Sequence, residues 1–278
     1  MSRDRHDRCH LGRRSIPLSD TVVRIGPALA IAVVLLAVVA VAVTYLGRTG
    51  HERAVAWSSV RAAVQLGLLA VVLGLLVRHI WLSAGFVMLM ALVAAWTAAG
   101  RVIGRRPTVS ETARLLLPVA APSVVVVSAL IVVGVLPATG LALIPSAGIM
   151  IGGAMNTTSL TGRRALDELT SRRGEVEAAM SLGLSNHQAR MEICRTAAST
   201  ALIPALDQTR TVGLVTIPGA FVGMVLGGAS TTDAAVMQLF VLISILAVSS
   251  CAMVATTDLV ARGLLVAGRR AAKTAHTR

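Results

Sequence analysis

Long apolar runs separated by short polar stretches dominate this sequence. Because a helix rises 1.5 Å per residue, about 20 apolar residues cross a hydrocarbon layer of about 30 Å. The pattern therefore predicts an all-α, polytopic membrane protein with about seven transmembrane helices. We place them at residues 25–46, 60–77, 80–99, 115–136, 141–158, 211–228 and 234–256.

The composition supports a membrane protein and excludes an ordinary soluble domain. Of the 278 residues, 55% are hydrophobic and only 14% are charged, whereas soluble domains average about 25% charged residues. The formal net charge of +13 is carried by loops and tails, as membrane topology requires. We therefore expect a lipid bilayer as partner and no nucleic acid. The three cysteines are scattered, so no disulfide framework is predicted.

The arginines predict the orientation. Those between the third and fourth runs, between the fifth and sixth, and after the seventh share one side if seven helices cross. Basic loops remain in the cytosol, so this side and the C-terminus are predicted to be cytosolic. We predict a basic tail at 1–24, a transmembrane domain at 25–262 and a basic tail at 263–278. The N-terminal arginines do not fit this orientation, because seven spans would place the N-terminus outside. Three explanations are open: the later loops force the tail outside, the first run does not cross, or translation begins downstream.

The polar segment 163–207 is the most informative part of the chain. Gly183 can adopt the left-handed backbone conformation that ends a helix, because it has no Cβ. Ser185 and Gln188 have the spacing of a capping box, which begins a new helix. The segment is therefore predicted to form two short helices with a corner between them, on the cytosolic side.

Three interpretations of this segment are open. It could be an ordinary cytosolic loop, or a DNA-binding helix-turn-helix, although both of its ends lead directly into membrane spans. It could also be the coupling loop of an ABC transporter permease. The pattern Glu-Ala-Ala, then Gly, then Ile is met by Glu177-Ala178-Ala179, Gly183 and Ile193.

The chain lacks an energy source of its own. All acidic residues and histidines fall outside the predicted spans, whereas proton- and ion-coupled transporters usually carry such groups inside them. The single lysine, Lys273, lies in the C-terminal tail, so there is no P-loop to hold ATP. We therefore expect a non-enzymatic chain without cofactor or metal ligands, and a separate ATPase subunit that binds ATP and Mg²⁺.

A few residues interrupt the apolar runs. Gly148 and Gly152 are spaced to let a neighbouring helix approach closely. Pro218 removes a helical hydrogen bond and predicts a kink, which could be a hinge or could only shape the bundle. Polar and flexible positions in the spans either pack or line a translocation path. The candidates for the path are Gln65, Met155, Asn156, Pro218, Gly219 and Gln238.

Several longer motifs occur together in one order. They are RAAVQL at 61–66, IPSAGIMIGGAM at 144–155, the Glu-Ala-Ala segment with Leu182-Gly183, ALIPALD at 201–207 and TVGLVTIPGAFVG at 211–223. Across roughly residues 55–260 the sequence resembles the FetB-type family of ABC transporter permeases. Bacterial members of that family are linked to iron export, and plant relatives to aluminium tolerance.

The resemblance implies a permease of the bacterial cytoplasmic membrane that pairs with a second permease copy and two ATPase subunits. It implies export of iron or another metal. The alternatives are a nucleotide sugar or other small solute as substrate, or a membrane-anchored helix-turn-helix regulator. The general coupling pattern has Ile-x-Leu-Pro, whereas Ile193 is followed by Cys194-Arg195-Thr196, and Leu202-Ile203-Pro204 comes only later. This difference puts the details of docking in doubt. The residues expected to couple to the ATPase are Glu175, Glu177, Ala178, Ala179, Gly183 and Ser185.

Overall fold

A computed structural model of the chain describes residues 26–76 and 79–266. These residues fall into two compact units. The first holds helix α1 (Pro27–Leu46), the part of α2 (Glu52–Leu76) up to Gly67, and residues 226–229. The second holds the remainder. The predicted N-terminal tail 1–24 lies outside the described residues, as does the predicted C-terminal tail beyond residue 266.

Helix α1 faces its surroundings on all sides. Pro27 occupies its first turn, where a missing N–H removes no helical hydrogen bond. None of its residues is buried within the described structure, and Leu36 is 69% exposed. A helix that is apolar all round and unburied is suited to contact with lipid.

The second unit continues with helices of very different length. Long helices α3 (Ile80–Ile103), α4 (Val109–Val132), α5 (Gly140–Ser171) and α10 (Thr231–Ala261) form the bundle. Between α5 and α10 come the shorter α6 (Arg173–Ser181), α7 (Asn186–Ser199), α8 (Ile203–Thr211) and α9 (Gly219–Leu226). Over the ranges that the structure describes there is no strand, only one isolated bridge between Val212 and Thr216.

Helix α5 is the centre of this unit, because it packs against α3, α4, α7 and α10. Many of its buried residues recur every three or four positions, which is the spacing of one helix face. They include Ile144, Ala147, Ile151, Ala154 and Thr158. Most are small, which allows neighbouring helices to approach closely in a membrane.

Among the residues that the structure describes, six helices are long and apolar enough to cross a membrane: α1, α2, α3, α4, α5 and α10. This confirms the all-α, polytopic class. The predicted span 211–228 differs, because α8 ends at Thr211 and the next helix begins only at Gly219. Gly213 has a φ of +81°, and Pro218 has no N–H to offer, so the intervening backbone turns instead of continuing the helix.

Several helices extend beyond the apolar runs that predicted them. Helix α5 continues past Thr158 to Ser171, and α4 begins at Val109, before the predicted start at Leu115. Thr108 and Glu111 form a capping box at the start of α4. An apolar run marks only the part of a helix that lies in hydrocarbon, and these additional turns carry polar residues.

Candidate functional site

The polar segment forms two helices joined by a tight corner, and we call residues 172–199 the elbow. Gly183 has a φ of +95°, in the left-handed region that favours glycine. Its N–H donates to the carbonyl of Met180 at 3.0 Å, and the N–H of Leu184 donates to that of Ala179 at 3.2 Å. These bonds satisfy carbonyls at the end of α6, and the predicted corner is confirmed.

The second helix of the elbow begins with the predicted capping box. The backbone N–H of Gln188 donates to Ser185 Oγ at 3.3 Å. The backbone N–H of Ser185 donates to Gln188 Oε1 at 3.0 Å. Each side chain thus satisfies a backbone donor that the first turn of α7 leaves unpaired, and the box fixes where α7 starts.

The two helices of the elbow share a small apolar core of their own. Val176 from α6 is buried against Ala189 and Ile193 from α7. Leu169 at the end of α5 packs on the same cluster. Side chains from three consecutive helices therefore meet, so α6 is held against both α7 and the end of α5.

Helix α7 is also fixed to the end of α10 by polar contacts. Arg190 Nη2 donates to the carbonyl of Val260 at 2.8 Å. His187 Nε2 lies 3.0 Å from Asp258 Oδ1, and Arg262 Nε donates to the other carboxylate oxygen at 2.6 Å. Hydrogen bonds that involve charged groups are stronger than neutral ones. We call the contacts of His187 and Arg190 with the end of α10 the clamp.

Cys194 lies on the buried face of α7 and is fully buried. Burial raises the pKa of its thiol to about 11, because a thiolate is poorly solvated in apolar surroundings. Its proton is therefore retained at neutral pH, and the side chain acts as a small apolar residue in the core.

The outer face of the elbow carries the predicted coupling residues. Glu175 and Glu177 have side chains 57% and 59% exposed, and Ala178 is exposed. Glu175 is paired with Arg172, and Glu177 Oε1 lies 3.0 Å from Arg173 Nε. The hydrogen bond from Arg172 lowers the pKa of Glu175, so this carboxylate is charged at neutral pH.

The remaining predicted coupling residues lie in or beside the corner. Gly183 and Ser185 are exposed there, next to Leu182, which is 84% exposed. Ala179 is half-buried and packs against the core of the elbow. The structure therefore brings all of these residues together in one segment with a small, partly apolar tip. Their part in docking stays a prediction.

The six candidates for a translocation path are spread over helices α2, α5 and α10 and the start of α9. Gln65 is exposed on α2, in the first unit. Met155 is half-buried on α5 against the main core. Pro218 and Gly219 lie at the start of α9. Gln238 is buried on α10, and its Oε1 has no hydrogen-bond partner among the residues described.

Asn156 has a partner that the sequence did not indicate. It is exposed on α5, and its Oδ1 accepts a hydrogen bond from Arg101 Nη1 at 3.3 Å. Arg101 follows the third apolar run, and from the sequence it indicated only the orientation of the chain in the membrane. The clamp was missed as well, because its residues are about 70 positions apart and no local pattern joins them.

Six membrane-length helices together with the elbow define a multi-pass, α-helical membrane protein. The sequence matches the family described as "Uncharacterised protein family (UPF0014)" over residues 27–265. The chain therefore belongs to this family of membrane proteins.

Relatives in plants and bacteria support the same assignment. The chain is 32% identical over 222 residues to "UPF0014 membrane protein STAR2" of Oryza sativa subsp. japonica, covering 79% of this chain and 77% of the relative. It is 30% identical over 237 residues to "Protein ALUMINUM SENSITIVE 3" of Arabidopsis thaliana, covering 84% and 85%. It is 26% identical over 219 residues to "Probable iron export permease protein FetB" of Escherichia coli, covering 78% and 83%. No solved structure matches the chain.

Proposed function

We propose that this chain is the membrane-spanning permease subunit of an ABC transporter that exports iron or another metal. In this proposal a separately encoded ATPase, which binds ATP and Mg²⁺, docks on the elbow, and the chain itself is not an enzyme. The family membership and the printed name of the Escherichia coli relative, a probable iron export permease, support the proposal.

The elbow carries the proposal, because it is open on one face and fixed on the other. Its outer face offers Glu175, Glu177 and the small Ala178. Its inner face is held to α5 by apolar packing and to α10 by the clamp. A push on α6 by a docked ATPase would therefore be passed to two long helices of the bundle, as energetic coupling through packed elements requires.

The same contacts argue against the other interpretations of the segment. A helix-turn-helix must present its second helix to the major groove of DNA. In α7, Ala189, Ile193 and Cys194 are buried, and the Arg190 guanidinium donates to α10. We therefore expect no nucleic acid partner. The other interpretation, an ordinary surface loop, would not need a capped corner, an apolar core and the clamp.

The path for the substrate is proposed to pass the interruption between α8 and α9. Non-helical backbone at membrane depth is tolerated where it is covered by protein or lines a water-filled cavity, and broken helices form binding sites in many transporters. Leu214 and Ile217 in this turn are 91% and 69% exposed. A second copy of the permease would cover such a surface. The proposed path residues are Gln65, Met155, Asn156, Pro218, Gly219 and Gln238.

The location follows from the same proposal. The elbow and the C-terminus face the cytosol, and the membrane is the bacterial cytoplasmic membrane. Arginines at the ends of α3 and α5 and throughout the elbow lie on this side, which agrees with the excess of basic residues in cytosolic loops. The domain boundaries proposed are a basic tail at 1–24, the permease at 25–262 with its coupling loop at 163–207, and a basic tail at 263–278.

The docking step is tested by adding bulk to the elbow without straining its backbone. Ala178 is exposed and helical, so Ala178→Trp leaves the fold intact and obstructs the docking surface. Val109, which is 81% exposed outside the elbow, gives the matched control Val109→Trp. We expect Ala178→Trp to lose co-purification with the separately encoded ATPase subunit, and the control to retain it. Retention by both variants contradicts the proposal.

Coupling is then tested at the corner. Gly183 needs a positive φ, which asparagine tolerates and isoleucine does not. In reconstituted vesicles, Gly183→Ile should abolish transport and its stimulation of ATP hydrolysis, while Gly183→Asn should preserve both. Iron, other divalent metals and nucleotide sugars are compared as substrates. Stimulation by nucleotide sugars alone would assign the alternative substrate, and full transport by Gly183→Ile would refute coupling through the corner.

A further inference from the structure

A cavity opens between the ends of α3 and α5, at the arginine-rich end of the bundle. Its volume is about 620 Å³, and its walls come from the end of α3, the loop 104–107 and the C-terminal part of α5. Four of the residues that line it are arginines: Arg101, Arg105, Arg106 and Arg163. Neither the coupling residues nor the proposed path residues line this cavity.

The positive charge of the cavity is only partly compensated. Arg105 is paired with Glu111, with Nη2 and Oε1 2.6 Å apart. Within residues 26–76 and 79–266, no carboxylate lies within 4.0 Å of the guanidinium nitrogens of Arg101, Arg106 or Arg163. The cavity also includes Asp167, which leaves an excess of two positive charges for an anion to neutralise.

Two of these arginines are held in place by hydrogen bonds to neutral groups. Arg163 Nε donates to the carbonyl of Arg101 at 3.2 Å. Arg101 Nη1 donates to Asn156 Oδ1 at 3.3 Å. Each bond uses one donor of a guanidinium that has five. The remaining donors stay available, and less side-chain entropy is lost when a ligand binds.

The cavity also has an apolar side. Trp96 lines it and is 48% exposed. It precedes Arg101 by five residues, or about 7.5 Å along the helix. Tryptophan is enriched where hydrocarbon meets headgroups, and arginine lies just beyond, beside the phosphates. Pro107 and Leu166 also contribute to the apolar lining.

We propose that this cavity binds the headgroup of an anionic phospholipid, with the phosphate beside Arg101, Arg106 and Arg163. The part of an acyl chain next to the headgroup would lie against Trp96. The charge, the location at the end of a membrane-spanning helix and the mixed apolar and basic walls all fit this ligand. A soluble phosphate compound would be recognised by the same arginines but would have no acyl chain to pack against Trp96.

The test uses the full chain in nanodiscs of phosphatidylcholine with a fraction of acyl-brominated lipid. Bromine quenches tryptophan at short range, so Trp57→Phe and Trp81→Phe leave Trp96 as the reporter. We expect brominated phosphatidylglycerol to quench Trp96 more strongly than brominated phosphatidylcholine at the same fraction. Equal quenching by the two lipids would overturn the proposal.

The arginines are tested with a matched loss of charge. Replacing Arg101, Arg106 and Arg163 by glutamine should remove the preference for phosphatidylglycerol and weaken its binding at least about tenfold, since each basic residue near a membrane surface contributes to such binding. The control replaces Arg172, Arg173 and Arg195 in the elbow by glutamine and should retain the preference. An equal loss in both variants would assign the effect to net charge and contradict a site.

Two further outcomes separate the lipid from its competitors. If millimolar inorganic phosphate abolishes the preference for phosphatidylglycerol in the unmodified chain, the cavity is a site for soluble phosphate compounds and the lipid proposal fails. If the triple arginine variant does not fold, Arg106→Gln alone, at an exposed position, replaces it and should reduce the preference. An unchanged preference in Arg106→Gln would then count against the proposal.

Discussion

Among the glycines that the structure describes, Gly162 has the least room for a side chain. It lies on α5 and faces Val102 of α3, which is 5% exposed. A Cβ added at residue 162 would lie 2.7 Å and 2.9 Å from the two methyl carbons of Val102. Favourable carbon–carbon contacts lie at about 3.5–4.0 Å. Because valine has one strongly preferred χ1 rotamer in a helix, its methyls cannot turn aside, and the helices must separate.

The expected cost of Gly162→Ala can be bounded from this geometry. Inserting a carbon into a packed core costs about 1–3 kcal/mol, while the better helix propensity of alanine returns up to about 1 kcal/mol. Because the new contacts would be as short as 2.7 Å, we take the upper part of the packing range, about 2–3 kcal/mol. With about 1 kcal/mol returned by helix propensity, the free energy of unfolding should fall by about 1–2 kcal/mol. For a chain of this size that corresponds to a melting temperature lower by roughly 2–8 °C.

The same helix provides matched controls. At Gly152 nothing lies within 4 Å of an added Cβ, so Gly152→Ala should be neutral or slightly stabilising. Gly153 is intermediate, because its Cβ would lie 3.1 Å from one methyl of Ile245. Thermal unfolding of the purified chain in detergent should therefore give the highest melting temperature for Gly152→Ala, a lower one for Gly153→Ala and the lowest for Gly162→Ala.

A double mutant identifies the cause. Val102→Ala removes both methyls that an alanine at 162 would meet, so Gly162→Ala should cost less in that background than in the unmodified chain. Neighbouring residues usually couple by 0.5–3 kcal/mol in such cycles. If Gly162→Ala melts at or above the unmodified chain, or if the cycle shows no coupling, the close approach of α3 to α5 is refuted.

Two shorter predictions concern buried groups in other helices. With Cys9 and Cys251 replaced by serine, Cys194 should resist a thiolate-selective maleimide at pH 8 and react after unfolding, since burial raises its pKa to about 11; rapid labelling of the folded chain would contradict this burial. Gln238→Leu should raise the melting temperature, because the replaced amide oxygen is buried without a partner among the described residues and such groups cost about 1–3 kcal/mol. Transport should fall in the same variant if Gln238 lines the path, whereas unchanged transport would make it a packing residue only.

The elbow could be predicted from sequence because its determinants are local. Gly183 ends one helix through its own backbone conformation, and Ser185 and Gln188 begin the next within a single turn. Local chemistry of this kind is independent of the remainder of the fold. The apolar runs predicted the membrane class for a related reason, since each helix must satisfy its own backbone in lipid.

The interruption at 212–218 shows where that argument fails. The run 211–228 is apolar, like the other predicted spans. Hydropathy depends only on composition, so it does not distinguish a continuous helix from a broken one. Gly213 and Pro218 were visible, yet α4 contains Pro118 and Pro122 and continues through both. Whether a proline breaks a helix depends on what can satisfy the freed carbonyls, and tertiary contacts determine this.

Contacts between distant residues explain what the elbow's local pattern left open. The motif identifies a corner, but only the clamp and the packing on α5 make that corner part of the bundle. His187 and Asp258 are 71 positions apart, and each alone resembles an ordinary polar residue near a helix end. A surface segment without these contacts could bind an ATPase and still move independently of the spans. In the proposed coupling, motion would therefore pass inward through these tertiary contacts, whereas the proposed docking surface is formed by the local sequence.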